Sequence, residues 1–391
     1  MLWCFLAVLI VLIASCVCFF YILRRRSMDR WIVPYLMHVG KRRWRRFGEP
    51  THLLLCIADH YEPCLGKPGT EVAQARANRW LKEYPERLGR FRDSDGRPPR
   101  HTFFYPIEEY VPAHVDAIAR LCRAGYGEIE VHLHHDSDTP ENLRNTLVEY
   151  RELLARQYGM LSRHKTTGEL AYGFIHGNWA LNNSRPDGRW CGVNNETEVL
   201  RATGCYADFT LPSAPSPTQT KKINSIYRAC SSPDRPKCHD AGIDVGRGPA
   251  PSNSLLLIQG PLLLNWQQRK FGLVPRVENA CLQANHPPTA ERLSLWLKAR
   301  IHVPSRPDWF FVKLHTHGAN EENADMILGQ PMQRFHQHLA DLAHTDPGFQ
   351  FHYVSAREMY NLVRAAESGW QGPIAEALDF ELVWNARRLA Y

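Results

Sequence analysis

Residues 128–134 of the chain read EIEVHLH and alternate apolar with polar side chains along their whole length. Successive side chains of a β-strand point to opposite faces, so the three aliphatic residues share one face while His132 and His134 share the other. In a barrel of parallel strands, the aliphatic face packs under helices and the polar face lines the enclosed side. The segment therefore predicts a strand that carries two imidazoles to the carboxyl end of such a sheet.

Apolar runs of strand length recur on both sides of this segment and alternate with helical patterns. The predicted strands are residues 53–58, 102–105, 128–134, 172–176, 207–211, 254–259, 309–315 and 349–354. Between them, Thr139 can cap a helix that starts at Pro140, and Ser355 with Glu358 can form a capping box before the last helix. Alternating strands and helices predict parallel βαβ units. The expected fold class is α/β, a deformed (β/α) barrel of about seven to eight parallel strands.

Composition and local patterns give the expected domain boundaries. The chain has 391 residues, of which 44% are hydrophobic and 22% charged, a globular balance that excludes a disordered chain. We expect one barrel domain at residues 51–391, interrupted by a Pro- and Ser-rich excursion at about residues 212–252.

The N-terminus predicts a membrane anchor. Residues 2–23 contain no charged side chain and are long enough, as a helix, to cross a hydrocarbon core of about 30 Å. They lack the positive start and the clear small-residue cleavage site of a signal peptide, and so long an apolar run is unusual for a buried core helix. We therefore expect one retained, single-pass transmembrane helix before the barrel.

Positive charge is concentrated directly after this helix. Nine of the 47 Lys and Arg residues but two of the 40 Asp and Glu residues fall in residues 1–50, which leaves 38 of each sign beyond them. A neutral body argues against nucleic acid as a partner. The basic linker, residues 24–50, fits a membrane surface, and the positive-inside rule predicts a cytoplasmic body. An extracytoplasmic body is the alternative.

Histidines cluster where the strand at residues 128–134 ends. His132 and His134 lie two positions apart on one face, and His135 and Asp136 follow at once. Neutral imidazoles at this spacing can reach a common divalent ion, so the run predicts a metal site. A hydrogen-bonded core histidine is the alternative for any one of them.

The strand at residues 309–315 ends in the same way. Lys313, His315 and His317 share one face before Gly318 turns the chain. Because histidine titrates near neutral pH, one of this pair can act as a general acid while the other binds metal or supports the site. A structural pair held by loop carbonyls is the alternative.

Two further strand ends carry polar groups. Asp59 and His60 follow the first predicted strand, where a carboxylate can bind metal, deprotonate water or merely cap a turn. The strand at residues 172–176 continues into a loop of amide, indole and guanidinium side chains, which can stack on sugar rings and bond acyl oxygens. The candidate substrate-binding residues there are His176, Asn178, Trp179 and Arg185.

These motifs, in this order over roughly residues 50–360, resemble the polysaccharide deacetylase (NodB-like) superfamily. That family's first strand ends in two adjacent acids, a catalytic base and a metal ligand, and Asp59-His60 is similar. Its second motif follows a Glu-Ile strand and supplies two metal-binding histidines four residues apart. Here His132 matches the first of them, and Asp136 occupies the second position. The late motif, a histidine at a strand end, is best matched by His315.

The resemblance implies a membrane-anchored, metal-dependent hydrolase that removes an N-acetyl group from an amino sugar of a glycan or lipid-linked saccharide. Asp59 would be the general base, and His315, or His317, the general acid. The implied cofactor is a divalent metal, with zinc expected, and the arginine of the family's third motif corresponds to Arg185. The candidate metal ligands are His60, His132, His134 and His135, with His134, His135 and Asp136 open as the second ligand.

Two other functions fit the same barrel. A glycoside hydrolase would use two carboxylates from among Asp59, Glu62 and Glu108. A non-catalytic, glycan-binding component of a polysaccharide assembly system would keep the fold and hold no metal tightly. Dependence on a metal distinguishes the deacetylase from both.

Overall fold

A computed structural model describes residues 2–246 and 250–384, so residues 247–249 of the predicted excursion and 385–391 of the predicted domain lie outside the described residues. The α-helices are α1 Leu2–Arg25, α2 Ile32–Met37, α3 Thr70–Leu88, α4 Pro112–Leu121, α5 Pro140–Tyr158, α6 Glu196–Ala202, α7 Ala290–Ala299, α8 Glu321–Ile327, α9 Gln330–Thr345, α10 Ala356–Glu367 and α11 Ile374–Ala377. The strands are β1 Thr51–His60, β2 His101–Pro106, β3 Gly127–Leu133, β4 Ser162–His164, β5 Leu170–His176, β6 Cys205–Asp208, β7 Ile226–Ala229, β8 Ile243–Asp244, β9 Leu255–Ile258, β10 Leu263–Lys270, β11 Val274–Glu278, β12 Trp309–Thr316, β13 Phe349–Tyr353 and β14 Leu382–Val383.

The fold is mixed α/β with a mostly parallel central sheet, as the strand and helix pattern predicts. Parallel strands follow one another in the order β12-β1-β2-β3-β5-β6-β9, and β7 and β8 extend the sheet beyond β9 with antiparallel pairs. The strand β13 pairs with the first half of β1, whereas β2 pairs with its end. Within residues 2–246 and 250–384 no pairing joins β9 to β12, so closure of the expected barrel is not detected.

Each face of the sheet packs into its own hydrophobic cluster. On the outer face, Ile129, Val131 and Leu133 of β3 pack with buried side chains of α3, α4 and α5. On the inner face, alternate residues of β1 such as Leu54 pack with Met359 and other side chains of α10. The alternation along β3 thus separates its aliphatic residues from the inner face, as the period-two pattern predicts.

The helix start signals read from the sequence are confirmed. The Thr139 hydroxyl accepts a hydrogen bond from the Asn142 backbone N–H, and Pro140 is the first residue of α5. Ser355 and Glu358 form both bonds of the capping box that starts α10. These caps satisfy backbone donors that a helix leaves without partners in its first turn.

The N-terminal helix α1 is long and apolar enough to span a membrane. The segment after it turns back onto the body. Trp31 is fully buried there, and the Tyr35 hydroxyl accepts a hydrogen bond of 3.3 Å from the backbone N–H of Leu264. Both rings belong to the same hydrophobic cluster as the inner face of the sheet, so the first part of the basic linker is packed against the domain.

Candidate metal-binding site

Three strands bring histidines to the inner face of the sheet at their carboxyl ends. The alternation of β1 ends at His60, that of β3 places His132 near its end, and β12 carries His315. All three side chains are buried. Because parallel strands end at the same edge of a sheet, the imidazole rings come close together, with 4.8 Å between the ring centres of His60 and His132.

His60, Glu62 and His132 form what we call the inner cluster. Each offers one ligand atom, and these atoms lie within 4.8 Å of one another, so the cluster could hold a metal ion. The His132 Nδ1 lies 3.0 Å from the carbonyl oxygen of Ile175, which can only accept, so Nδ1 is the donor. In a neutral ring, Nε2 then presents a lone pair to Glu62 Oε1 at 3.0 Å. A proton or a cation must lie between two such acceptors.

Burial keeps the two imidazoles of the inner cluster uncharged. It lowers the pKa of His132 to about 3, with His134 adding to the effect, and it raises the pKa of Glu62. Burial and the neighbouring His317 also lower the pKa of His60 well below its ordinary value.

His60 tests whether the cluster suits a metal. Both of its ring nitrogens are buried without a hydrogen-bond partner. Buried polar atoms rarely stay unpaired, and a neutral imidazole beside a second imidazole and a carboxylate is a donor set that zinc accepts. The residues present therefore fit a divalent ion.

Aromatic rings form the wall beside the inner cluster. His317 stacks on His60 with 4.7 Å between ring centres, and the Trp179 ring lies 4.6 Å from His60 on another side. Trp179 also meets His315 edge-on at 5.0 Å. Trp179 and His317 are partly exposed, so this wall faces the approach from solvent.

His134 lies at the rim of the inner cluster. Its Nε2 is 3.3 Å from Glu62 Oε1, and its Nδ1 forms a hydrogen bond to the carboxylate of Glu108. Burial lowers the pKa of His134, but the hydrogen bond and charge of Glu108 outweigh that effect, so the pKa is raised. His134 is thus the member of the histidine run after β3 that stays beside Glu62.

Asp59 lies behind the turn that carries His317. Its Oδ1 accepts a 2.7 Å hydrogen bond from the Gly318 N–H, and its Oδ2 lies 2.8 Å from Nε2 of His101. The Trp80 indole N–H donates to the Gly318 carbonyl at 3.1 Å. The carboxylate is fully buried and joins β1, β2 and the end of β12. No pattern in the sequence singles out His101, which simply starts β2.

The other candidates lie elsewhere. His135 and His176 point to the outer face, where they meet Cys191 and Glu196, and Asn178 donates its backbone N–H to His176 Nδ1 at 3.3 Å. We call His135, His176, Cys191 and Glu196 the outer cluster.

Two polar residues of the predicted site point away from both clusters. The side chain of Arg185 pairs with Asp187 at 2.6 Å and lies over the Trp190 ring at 4.1 Å. Asp136 accepts a hydrogen bond from the Trp190 backbone N–H. Of the four candidate substrate-binding residues, Trp179 is the one whose ring contacts the inner cluster.

No protein-family model matches the chain, and no curated protein matches it. The functional assignment therefore depends on the geometry of the site itself. That geometry consists of neutral buried imidazoles, a carboxylate and a partly exposed aromatic wall at one edge of the sheet.

Proposed function

We propose that the chain is a metal-dependent hydrolase that removes an N-acetyl group from an amino sugar in a glycan or lipid-linked saccharide. The observation that carries the proposal is the pair of unpartnered ring nitrogens of His60 beside Glu62 and His132. These donors suit a divalent ion such as zinc, and the partly exposed ring of Trp179 suits a sugar face.

His60, Glu62 and His132 would hold the ion, and His134 is a further donor within reach of Glu62. A bound divalent ion supplies Lewis acidity to the acyl oxygen. Trp179 would orient the sugar by stacking. The fully buried position of His60 and His132 keeps bulk water from competing for the same donors.

Asp59 is the proposed general base. It would take a proton from the water whose oxygen bonds to the acyl carbon, and each of its oxygens keeps a lone pair beyond the one hydrogen bond it accepts. His315, whose Nδ1 has no hydrogen-bond partner, or His317 would give a proton to the amine nitrogen as the C–N bond breaks. The products are acetate and the free amino sugar.

The proposal includes a deformed barrel. Its support is the covering of the β12 edge by backbone that is not a strand: Leu282 N–H donates to the His315 carbonyl at 2.7 Å, and His315 N–H donates to Ala280 at 3.1 Å. Gly260, just past β9, abuts the Lys313 carbonyl, where a Cβ atom would clash. The gap between β9 and β12 would thus be closed by irregular chain.

The proposal also includes α1 as a retained anchor, with the body on the cytoplasmic side. Its support is the apolar length of α1 and the arginines at residues 24–26 that follow it. Protease added to intact cells should leave the body undigested. Digestion of the body by that protease would show that it lies outside the cytoplasm and would contradict this orientation.

The test uses the full-length chain purified in detergent. Bound zinc and acetate release from N-acetylglucosamine oligomers are measured for the wild type, His60→Ala and His132→Ala. His239→Ala is the matched control, because His239 is also buried with both ring nitrogens unpartnered but belongs to none of the ligand clusters found among the described residues. We expect both cluster variants to lose acetate release and to lose or weaken one metal equivalent, while His239→Ala keeps both.

A folded wild type that binds no divalent ion, or that releases acetate equally well after chelation, would contradict the proposal. Release of reducing sugar ends without a metal would favour the glycoside hydrolase. Glycan binding without any hydrolysis would favour the non-catalytic component.

A further inference from the structure

The outer cluster brings four potential ligands together from separate parts of the chain. His135 follows β3, His176 ends β5, Cys191 lies in the loop after β5, and Glu196 starts α6. One ligand atom from each lies within 4.8 Å of all the others, and three of the four residues are buried. The sequence suggests metal binding by His135 but gives no reason to group it with a thiol and a carboxylate from so far along the chain.

We propose that His135, His176, Cys191 and Glu196 form a second metal site, of zinc type, that ties the loop after β5 to the sheet. It is independent of the hydrolase activity proposed for the inner cluster. The observation that first points to a ligand is the Nε2 of His176, which is fully buried, has no hydrogen-bond partner and lies 3.8 Å from Glu196 Oε1.

The other imidazole is oriented as a metal-bound histidine usually is. The Nδ1 of His135 lies 3.0 Å from Oδ2 of Asp138, so it donates to that carboxylate, and its Nε2 is 3.1 Å from Glu196 Oε1. A carboxylate that fixes the far nitrogen of a ligand histidine is a common support in zinc sites. The near nitrogen is then free to bind the ion.

The thiol is supported by backbone donors. The Cys191 Sγ accepts N–H groups of Asn183 at 3.3 Å and of Val193 at 3.5 Å, and it lies 3.4 Å from Glu196 Oε2. Amide donors of this kind stabilise a ligand thiolate. All eleven cysteines of the chain fall in the described residues and are free, so Cys191 is not engaged in a disulfide.

The chemistry of the set selects the metal and the role. One thiolate, two imidazoles and one carboxylate make four ligands, the number that closed zinc sites use, and a thiolate disfavours magnesium or calcium. Four protein ligands leave no position for substrate. Ligation by His176 Nε2 moves the ring proton to Nδ1, so the 3.3 Å contact from the Asn178 N–H would be given up.

The site is distinct from the inner cluster. In the pairing of β3 with β5, His132 lies opposite Ile175 and Leu133 lies opposite His176, so the two histidines stand on opposite faces of adjacent strands. The third acidic and histidine grouping, Asp93, Asp95 and His352, gives no comparable signal, because Asp93 accepts the backbone N–H groups of Asp95 and Tyr353.

The test is cobalt substitution of the full-length chain in detergent. Metal is removed with a chelator, Co²⁺ alone is added, and the near-ultraviolet charge-transfer absorption of a cobalt–thiolate bond is recorded. The inner cluster, as His60, Glu62 and His132, contains no cysteine, so a metal bound there by these residues gives no such absorption. We expect it in the wild type and in His132→Ala, and we expect its loss in Cys191→Ser.

The control is Cys281→Ser, since the backbone of Cys281 pairs with that of His315, beside the inner cluster. That variant should keep the absorption. If Cys191→Ser fails to fold, His135→Ala, whose side chain is slightly exposed, serves instead and should weaken the absorption at least tenfold at limiting cobalt. A folded wild type without the absorption, or an absorption that survives in Cys191→Ser, would overturn the proposal and leave the cluster as an ion pair of His135.

Discussion

The inner and outer clusters contain similar side chains on opposite faces of the same sheet, but they are held in different ways. Glu62 Oε1 of the inner cluster lies 3.0 Å from His132 Nε2 and 3.3 Å from His134 Nε2, and both nitrogens of His60 lack hydrogen-bond partners. Glu196 of the outer cluster accepts a backbone N–H from Asn182 as well as contacting His135 and Cys191. The inner cluster thus has ring nitrogens that are not used in hydrogen bonds, whereas the outer cluster is also hydrogen-bonded to the backbone.

The electrostatic difference runs the same way. Burial lowers the pKa values of His60 and His132, so both imidazoles of the inner cluster stay neutral. In the outer cluster, burial likewise lowers the pKa of His176, but at His135 the hydrogen bonds of Asp138, Cys191 and Glu196 outweigh burial and raise the pKa well above its ordinary value. Spare neutral donors suit a site that must admit substrate, and backbone support suits one that fixes a loop.

The largest expected effect concerns catalysis at the inner cluster. Asp59→Asn removes the proposed base but keeps its shape, so acetate release should fall by about 10² to 10⁴-fold while bound metal is unchanged. Steady-state rates and metal content measure this. Asp116→Asn on the exposed face of α4 is the control and should leave both unchanged. Full activity in Asp59→Asn would show that another group takes the proton.

A second substitution pair compares how the two carboxylates support the fold. Glu196→Ala leaves the Asn182 N–H and the His135 ring without their carboxylate partner. We therefore expect a loss of about 3 kcal/mol in the free energy of unfolding. Glu62→Ala leaves no backbone donor of the described residues without its acceptor, so it should lower the free energy of unfolding by about 1 kcal/mol. Thermal unfolding in detergent measures both. Equal losses would contradict the difference between the clusters.

A pH series examines the neutral inner face. Burial raises the pKa of Glu130 to about 8, although the Gly173 N–H, the Tyr206 hydroxyl and Arg357 oppose the shift and Glu128 adds to it. The folded chain then holds a proton that the unfolded chain releases near pH 4.5, so this contribution to stability falls as the pH rises towards 8.

The measurement is best made between pH 7 and 8. Burial lowers the pKa of His132 to about 3, so that contribution is largely complete below this window, whereas Asp208, whose pKa burial raises to about 7, still titrates at its lower edge in both the wild type and the variant. Glu130→Gln should reduce the downward slope of unfolding free energy there by up to about 1.4 kcal/mol per pH unit. An unchanged slope would mean that Glu130 is ionised in the folded chain.

The smallest expected effect concerns α5, the helix beside the outer cluster, and tests whether metal binding by that cluster depends on the stability of the helix. Thr139→Ala removes the cap of α5, one residue beyond Asp138, and should cost about 1 kcal/mol of stability. Metal content and the cobalt spectrum should not change. A loss of the cobalt–thiolate absorption in this variant would show that the cap and the outer cluster act as one unit.

Much of the sheet could be predicted because buried parallel strands leave continuous apolar runs. All eight predicted strands overlap strands of the sheet, although the predicted segment 207–211 begins and ends later than β6 at Cys205–Asp208. The hairpin of β10 and β11 gave no such signal. Apart from residues 263–265 at its start and Glu278 at its end, its strand residues are exposed or half-buried, and its tip carries Phe271 at 84% exposure, so no continuous buried face marks the two strands.

The candidate sites show the same difference between residues on regular strands, whose faces can be predicted, and residues on irregular chain, whose positions cannot. Alternation alone sends His132 to the inner face and His135 to the outer face, so it could have separated the two clusters. Cys191 and Glu196 come from irregular chain and the start of a short helix, where no period links them to a strand. Their approach to His135 depends on how the loop after β5 folds back, which is a tertiary property.

The burial of Trp31 and Tyr35 has a consequence for where the protein can act. A domain joined to a membrane helix by a loose tether would sweep a wide volume above the bilayer. Here the chain that follows α1 packs against the domain within a few residues. With α1 in a bilayer, the connection between membrane and domain would therefore be short and fixed. The inner cluster would then be held at one distance from the membrane surface, and that distance would limit which sugar units of a membrane-bound saccharide the proposed hydrolase can reach.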